Sequence, residues 1–186
     1  MEYKIACGKQ LRVAISGKSG CGNTTVSTLL SEKLGVKLVN YTFRSLAEET
    51  GLSLSQIIQQ AKTDDSFDIK VDTRQVELAM QESCVLGSRL AIWMLKEADL
   101  KVFLLADDDV RAARIQNREG GDLEAIKSFT RMRDQEDSKR YMRLYNINNN
   151  EYDFSDMIID TSKYNPQQIV DLILQELLER KLISIV

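Results

Sequence analysis

One glycine-rich segment constrains the fold of this 186-residue chain more than any other: residues 14–27, AISGKSGCGNTTVS. Gly17, Gly22 and Thr24 fall at the two glycine positions and the hydroxyl position of the phosphate-loop pattern G-x-x-x-x-G-K-[ST]. Apolar residues alternate in LRVAIS just before the loop, which predicts a strand, and share one helical face in TTVSTLLSEKLG just after it. Since a phosphate loop connects a strand to a helix, this order predicts a phosphate site near the start of an α/β fold.

The lysine of the pattern is absent, and Asn23 stands in its place. The anion-binding groups of such a loop are mainly backbone N–H groups, which Asn23 leaves intact. A neutral amide, however, donates a hydrogen bond only about half as strong as a charged group does. Lys18, inside the loop, and arginines further along the chain are candidates for the missing charge. The alternative is a glycine turn that caps a helix and binds nothing.

The rest of the chain alternates between strand and helix patterns. Short apolar segments predict four more strands, at 36–40, 83–88, 101–106 and 156–160. Helices are predicted over 43–51, 53–62, 68–82, 89–98, 108–119 and 167–181. This alternation predicts a three-layer α/β fold with a parallel five-stranded sheet. Residues 122–150 are nearly all polar or charged, so we expect them to lie poorly buried over the core.

Composition excludes several kinds of chemistry. The chain contains no histidine, which rules out a histidine general base, a serine–histidine pair and a histidine-bound metal. Its net charge of −3 argues against a broad nucleic-acid surface, and no apolar run approaches the roughly 18 residues of a membrane helix. Cys7, Cys21 and Cys84 lack a metal-binding spacing, so we interpret them as reduced thiols of a cytoplasmic protein.

Arginines recur at helical spacing in the second half of the chain. Two sets would each share one helical face: Arg133, Asp137 and Arg140 in one, and Arg111, Arg114 and Arg118 in the other. A solvated face with weak ion pairs is the simpler interpretation of either set. Two sets in a chain with a phosphate loop favour a polar helical flap that neutralises a transferring phosphoryl group and excludes water.

Further charged residues lie near the ends of predicted strands. Arg44 and Arg89 each follow the carboxyl end of a strand, where open α/β sheets bind their ligands. Asp72 and Arg74 lie in the helical stretch between these two strands. Because arginine binds phosphate through two parallel hydrogen bonds, this end of the sheet is a candidate site for a second, smaller phosphate.

Taken in order, these segments resemble the cytidylate kinases, most closely the short branch best represented in archaea, within the nucleoside monophosphate kinases. The similarity runs over about residues 11–180. Besides the glycine loop it rests on FRSLA (43–47), VDTRQ (71–75), SRLAIWML (88–95), ADLKVFL (98–104), VRAARIQNRE (110–119), RDQEDSKRYMRLYNI (133–147) and IIDTS (158–162). No single segment is specific, but the ordered set is.

The resemblance implies one P-loop NTPase domain, 1–186, with a helical insertion that binds the nucleoside monophosphate at about 41–82 and a mobile helical lid at about 117–145. The implied reaction is transfer of the γ-phosphoryl group of ATP to CMP or dCMP, with Mg²⁺ as the cofactor and Thr24 as its protein ligand. ATP and CMP or dCMP are thus the expected partners. We expect no nucleic acid or membrane partner, and a monomer or a weak homo-oligomer.

The resemblance also implies how ATP would be bound. The loop residues expected at the ATP phosphates are Gly17, Lys18, Ser19, Gly20, Cys21, Gly22, Asn23, Thr24 and Thr25. Lys18 is in addition a candidate catalytic residue, because it is the cation inside the loop. Arg114 and Arg118 would flank the adenine and the hinge of the lid.

A second set of residues would bind the acceptor. Its members are Arg44, Asp72, Arg74, Arg89, Arg133, Asp137 and Arg140. Arg44 and Arg89 would bind the CMP phosphate. Arg133 and Arg140, the other candidate catalytic residues, would contact phosphates when the lid closes, and Asp137 would help to read cytosine or orient Arg140.

The sequence departs from the family pattern at three places. Asn23 replaces the usual lysine, although the archaeal branch often lacks this lysine too. The segment KLVNYTFR (37–44) is shorter than its counterpart in many relatives, and Leu90 stands where bacterial enzymes have an aspartate. The last two departures leave a kinase for another small acceptor, such as UMP, as an alternative. Asn23 leaves open a nucleotide-binding regulatory module with weak or no catalysis.

Overall fold

A computed structural model describes residues 2–186 of the chain. Within this range the strands are β1 (Tyr3–Ile5), β2 (Arg12–Gly17), β3 (Lys37–Val39), β4 (Cys84–Gly87), β5 (Leu100–Leu105), β6 (Met157–Asp160) and β7 (Ile183–Ile185). The helices are α1 (Asn23–Leu34), α2 (Phe43–Thr50), α3 (Leu54–Gln60), α4 (Ser66–Gln81), α5 (Ala91–Met94), α6 (Asp108–Glu119), α7 (Leu123–Tyr145) and α8 (Pro166–Glu179).

Five strands form one parallel sheet in the order β3-β4-β2-β5-β6. Successive side chains of a strand point to opposite faces, and β2 shows the consequence. Val13 and Ile15 pack with α1 and α8 on one face, whereas Ala14 packs with α4 and α5 on the other. Helices therefore cover both faces, and the predicted three-layer α/β fold with a five-stranded parallel sheet is confirmed.

A smaller apolar cluster lies apart from the sheet. Helices α2, α3 and α4 bury Leu46, Ile57 and Phe67 against one another. Two of these helices begin with a capping box, in which a hydroxyl side chain accepts from the backbone N–H three residues later: Thr42 caps α2 and Ser53 caps α3. The segment between β3 and β4 thus folds around a core of its own.

The segment predicted as a helix over 89–98 is helical only at Ala91–Met94. Its start is fixed by the buried Ser16, whose Oγ accepts from the Ile92 N–H at 3.1 Å. Its end is fixed by Asp99, which exchanges two 2.8 Å hydrogen bonds with the backbone of Arg12. These contacts require a turn before β5, and the turn outweighs the helical pattern of the sequence.

The polar segment 122–150 contains one continuous helix, α7, of 23 residues. As expected from its composition, α7 buries few side chains: Thr130, Asp137 and Tyr141. Ion pairs hold it in place, Asp134 with Arg111 of α6 and Arg143 with Asp65 at the N-cap of α4. Polar contacts, rather than an apolar face, therefore position this helix.

Both ends of the chain belong to one small structure outside the main sheet. The apolar tail at 182–186 contains β7, which pairs antiparallel with β1, a strand that the sequence pattern did not predict. Ile183 of β7 is buried against the main core. None of the helices in residues 2–186 is long and apolar enough to cross a membrane.

Candidate active site

A cavity of about 900 Å³ opens at the carboxyl ends of the parallel strands. Its walls are the loop that follows β2, the start of α2, one face of α4, the segment after β4, the middle of α7 and the segment after β6. This is the edge at which open α/β sheets bind ligands. One cavity therefore joins the phosphate loop to the helices of the insertion and to α7.

The loop 17–22 is a tight turn that depends on glycine. Gly20 and Gly22 have φ of +84° and +100°, which side chains other than hydrogen disfavour. A Cβ on Gly20 would lie 2.9 Å from the carbonyl oxygen of Arg111, and a Cβ on Gly17 would lie 2.6 Å from that of Leu104. The backbone itself therefore needs glycine at these positions.

The other loop residues separate into two groups. Lys18, Ser19, Thr24 and Thr25 line the cavity, with both threonines exposed in the first turn of α1. Cys21 is buried in the core beneath the loop, and this burial raises the pKa of its thiol. The loop thus presents backbone, hydroxyl groups and one lysine to the cavity.

Asn23 turns its side chain back onto the loop. Its amide Nδ2 donates to the carbonyl of Gly17 at 2.7 Å, and its Oδ1 is buried with no hydrogen-bond partner in residues 2–186. The side chain closes the loop on itself, because it joins the loop's first residue to the start of α1. The residue at the lysine position therefore has a structural contact with the loop backbone.

Arg111 ties the loop to α7. Its side chain is 2% exposed, its Nε–H donates to the carbonyl of Ser19 at 2.7 Å, and its Nη2 donates to Asp134 of α7, also at 2.7 Å. A third, longer contact at 3.2 Å reaches Asp108. Since the backbone of Arg111 also packs against Gly20, this residue fixes both the shape of the loop and its position relative to α7.

Arg114 and Arg118 lie one and two turns further along α6. Arg114 donates to the carbonyl of Gly20 at 3.2 Å and to the hydroxyl and carbonyl of Thr161 at 2.8 and 2.7 Å. It therefore joins the phosphate loop to the segment after β6. Arg118 is exposed at the cavity rim and pairs with Glu119.

Three arginines meet around one buried carboxylate in the cavity wall. Asp137 of α7 pairs with Arg89 through one oxygen and with Arg140 through the other, the second contact at 2.8 Å. Arg133 lines the same wall and forms no ion pair with any residue between 2 and 186. Desolvation and, secondly, the like charge of Arg89 lower the pKa of Arg133. The cluster carries an excess of positive charge, which suits an anion.

One face of α4 forms a further part of the cavity wall. Asp68, Asp72 and Gln75 line the cavity from this face. Asp68 faces the Nε of Arg140 at 3.5 Å, and Asp72 accepts a 2.7 Å hydrogen bond from the Tyr145 hydroxyl. Burial, more than any neighbouring charge, raises the pKa of Asp72 to about 6, although the bond from Tyr145 opposes the shift.

The cavity offers few side chains that could bind magnesium. No group of three or more carboxylate, thiol or imidazole side chains that could hold a metal ion occurs among residues 2–186. Thr24 places one hydroxyl at the cavity wall, beside the loop. In nucleotide sites Mg²⁺ usually has one or two protein ligands and takes phosphate oxygens and water for the rest. A single protein hydroxyl is therefore enough for a Mg²⁺ ion that binds together with a nucleotide.

The model of the cytidylate kinase-like family matches residues 12–163, which include the loop, α4 and α7. The chain belongs to this family. The protein named cytidylate kinase 2 of Borreliella burgdorferi is 42% identical over 177 residues, covering 92% of this chain and 98% of the relative. Cytidylate kinases of two archaea are also similar. That of Archaeoglobus fulgidus is 35% identical, with coverage of 92% and 97%, and that of Pyrococcus horikoshii is 38% identical, with coverage of 88% and 86%.

Solved structures agree with this family at the level of the fold. Shikimate kinase from Acinetobacter baumannii in complex with shikimate has a TM-score of 0.66 at 20% identity, covering 94% of this chain and 96% of that one. Deoxyadenosine kinase from M. mycoides with bound dATP has a TM-score of 0.54 at 16% identity, covering 90% and 99%. Both resemble this cytidylate kinase-like chain in architecture, which supports the predicted P-loop NTPase fold.

Two residues expected at the acceptor site do not line the cavity. Arg44 is exposed on α2, and Arg74 lies on the outer side of α4, paired with Glu49 and Glu77. Their assignment to substrate binding stays a prediction for this family member. The other expected site residues lie around the cavity. They are the loop residues 17–25, Asp72, Arg89, Arg114, Arg118, Arg133, Asp137 and Arg140.

The sequence reasoning also missed residues that the structure places at the site. Asp68 and Gln75 share a face with Asp72, and the spacing i, i+4, i+7 along α4 was available in the sequence to indicate this. For Arg111 the helical spacing is visible in the sequence, whereas its burial is not. Its partners Ser19 and Asp134 lie 92 and 23 residues away.

Proposed function

We propose that this protein is an ATP-dependent nucleoside monophosphate kinase that transfers the γ-phosphoryl group of ATP to CMP or dCMP. One observation carries the proposal: a single cavity has an anion-binding loop on one wall and the arginine cluster around Asp137 on another. Two phosphate-binding regions in one cavity suit a donor and an acceptor that meet within it. The family and its cytidylate kinase relatives support CMP as the acceptor.

The proposed mechanism relies on alignment and charge neutralisation. The acceptor oxygen of a monophosphate is already an anion, so the reaction needs no general base, and the chain has no histidine to act as one. Backbone N–H groups of the loop would hold the donor phosphates. Arg133 and Arg140 would neutralise charge on the transferring group, as preorganised donors do in other phosphoryl transfers.

In this proposal the cation that replaces the loop lysine comes from the cavity walls. Asn23 is committed to the Gly17 carbonyl, whereas Lys18 and Arg133 line the cavity without forming an ion pair in residues 2–186. Thr24 would bind Mg²⁺, which when present supplies positive charge to the β and γ phosphates. Arg114 and Arg118 would border the adenine, since Arg114 bonds both the loop and the segment after β6 and Arg118 lines the same cavity.

We also propose that two parts of the chain move during turnover. The insertion, about 41–82, has its own apolar cluster, through which α2, α3 and the start of α4 can move together. The lid, about 117–145, contains Gly120 and Gly121, whose positive φ values suit glycine, and we propose these two residues as its hinge before α7. Because one chain supplies both the phosphate loop and the arginine cluster, we propose that a monomer or a weak homo-oligomer is competent.

A coupled ADP-release assay with Mg·ATP tests the function directly. CMP, dCMP, UMP and AMP would be compared at matched concentrations, and we expect rapid turnover on CMP or dCMP. Rapid turnover on UMP alone would favour the alternative of another acceptor. ATP binding without turnover on any acceptor would contradict the kinase proposal and favour a regulatory module.

A further inference from the structure

Residues 18–21 of the phosphate loop form a hydrogen-bonded turn whose central peptide group joins Ser19 to Gly20. The Cys21 N–H donates to the Lys18 carbonyl at 3.1 Å, which closes the turn. Gly20, at the third position, has a φ of +84°, as is typical of a type II turn. A type I turn has the same ends but the opposite orientation of its central peptide group. The orientation of this one peptide group therefore distinguishes two possible forms of the loop.

This orientation decides whether the loop presents a donor or an acceptor to the cavity. In a planar trans peptide group the carbonyl and the N–H point in opposite directions. The Ser19 carbonyl points to Arg111, which lies behind the loop and outside the cavity wall, so the Gly20 N–H points to the cavity side. That N–H donates to no group in residues 2–186. A flipped peptide group would replace this donor with a carbonyl oxygen, which repels phosphate.

The side chain of Arg111 holds the peptide group in the observed orientation. Its Nε–H donates to the Ser19 carbonyl at 2.7 Å, and the side chain is 2% exposed. Asp134 and Asp108 accept from its Nη2 and Nη1 at 2.7 and 3.2 Å, so the guanidinium is itself fixed. Gly20 permits either turn type, because it has no side chain that excludes one of them. The bond from a buried, charged donor therefore selects the type II form.

Neighbouring carbonyls of the loop are held in the same way. Asn23 donates to the Gly17 carbonyl at 2.7 Å, and Arg114 donates to the Gly20 carbonyl at 3.2 Å. Of these three donor residues, Arg111 is buried, whereas Asn23 and Arg114 are partly exposed and line the cavity. The contacts of Arg111 therefore serve the loop and its anchors rather than a ligand.

We propose that Arg111 is a positioning residue of the phosphate loop, which keeps the Gly20 N–H directed at the phosphates of ATP by holding the Ser19 carbonyl away from them. The guanidinium does not touch the nucleotide in this role. The role rests on the proposed function, since it concerns the donor site of that reaction. Backbone orientation then supplies part of the phosphate binding that the absent loop lysine does not.

Two variants separate the role of Arg111 in the loop from its contribution to stability. Arg111→Met/Asp134→Leu removes the bond to Ser19 and leaves no buried charge, whereas Asp134→Ala keeps that bond but leaves the Arg111 charge without its nearest partner. In urea unfolding we expect the double variant to be the more stable of the two. Its dissociation constant for ATP, measured by calorimetry, should nevertheless rise about tenfold or more, whereas that of Asp134→Ala should rise by at most about threefold.

Two further ligands locate the effect at the donor phosphates. Tripolyphosphate, which has neither base nor ribose, should lose affinity for the double variant by about the same factor as ATP. CMP, whose proposed site is the arginine cluster around Asp137, should bind the double variant nearly as tightly as it binds wild type. In turnover, KM for ATP should rise while KM for CMP is kept. A merely structural role of Arg111 would weaken the binding of both nucleotides together.

The comparison of affinity with stability decides the outcome. If the double variant binds ATP as tightly as wild type does, or if Asp134→Ala binds ATP more weakly than the double variant, the role of Arg111 is overturned. If circular dichroism shows the double variant to be unfolded, Arg111→Lys is judged by its ATP affinity instead, because one ammonium group does not reproduce the fork that joins Ser19 to Asp134. A wild type that binds ATP but phosphorylates no acceptor would refute the proposed function alone, since this comparison is made on binding.

Discussion

Asp134→Ala should destabilise the protein by more than any other single change to the ion pairs of α7. The partner of Asp134 is Arg111, whose side chain is 2% exposed, whereas that of Asp134 is 15% exposed. Removing one member of a buried pair typically costs about 3–5 kcal/mol, because a charge is left without compensation. Arg111 keeps the Ser19 carbonyl and a 3.2 Å contact to Asp108, so we expect the lower end, about 3 kcal/mol.

Urea unfolding measures this loss, and thermal unfolding gives a second readout. For a chain of this size, about 3 kcal/mol lowers Tm by roughly 6–12 °C. Asp108→Ala is the matched control, since Asp108 also contacts Arg111 but its own side chain is 42% exposed, so we expect a loss of at most about 1 kcal/mol. The double variant Arg111→Met/Asp134→Leu should recover much of the loss, because no buried charge remains. Equal destabilisation by Asp134→Ala and Asp108→Ala would refute this reasoning.

Three further changes test the site. Gly20→Ala should weaken ATP binding about tenfold or more, as measured by calorimetry, because φ is +84° and the new Cβ would lie 2.9 Å from the Arg111 carbonyl oxygen. An unchanged affinity for ATP would mean that the shape of the loop does not matter for ATP binding. Arg140→Ala should lower kcat by about 10²–10³-fold, whereas Lys139→Ala, at an exposed neighbouring position, should keep the wild-type kcat. Equal kcat values in the two variants would show that Arg140 does not act in phosphoryl transfer. Asn23→Ala should reduce the free energy of unfolding by about 1 kcal/mol in urea, since the bond to Gly17 is lost; a variant as stable as wild type would contradict a closing role for this amide.

The fold was predictable where local pattern and packing agree. The helix now seen as Pro166–Glu179 has a regular apolar face and a proline at its start, and the sequence located it to within two residues. The segment 89–98 shows the opposite case, because Ser16 and Asp99, distant in sequence, impose a turn on a helical pattern. Sequence periodicity reports the local preference only, and these contacts override it.

The sequence predicted which types of residue form the site, but less well which way each side chain points. Asp72 and Arg74 are two positions apart on α4, so they must point to different sides of the helix, and only Asp72 lines the cavity. Arg111 was visible as one arginine in a helical set, yet its burial depends on Ser19 and Asp134, which only the folded chain brings to it. The sequence pattern does not show which side chains meet across the fold.

Helix α7 contacts both nucleotide regions of the proposed enzyme, with Asp134 held to the phosphate loop through Arg111 and Tyr145 bonded to Asp72. These residues are 11 positions apart, about 16 Å along a helix at 1.5 Å per residue. Because a helix moves nearly as a rigid rod, a displacement of one end of α7 also displaces its other end. Donor and acceptor affinities are then thermodynamically linked, and the factor by which ATP tightens CMP must equal the factor by which CMP tightens ATP.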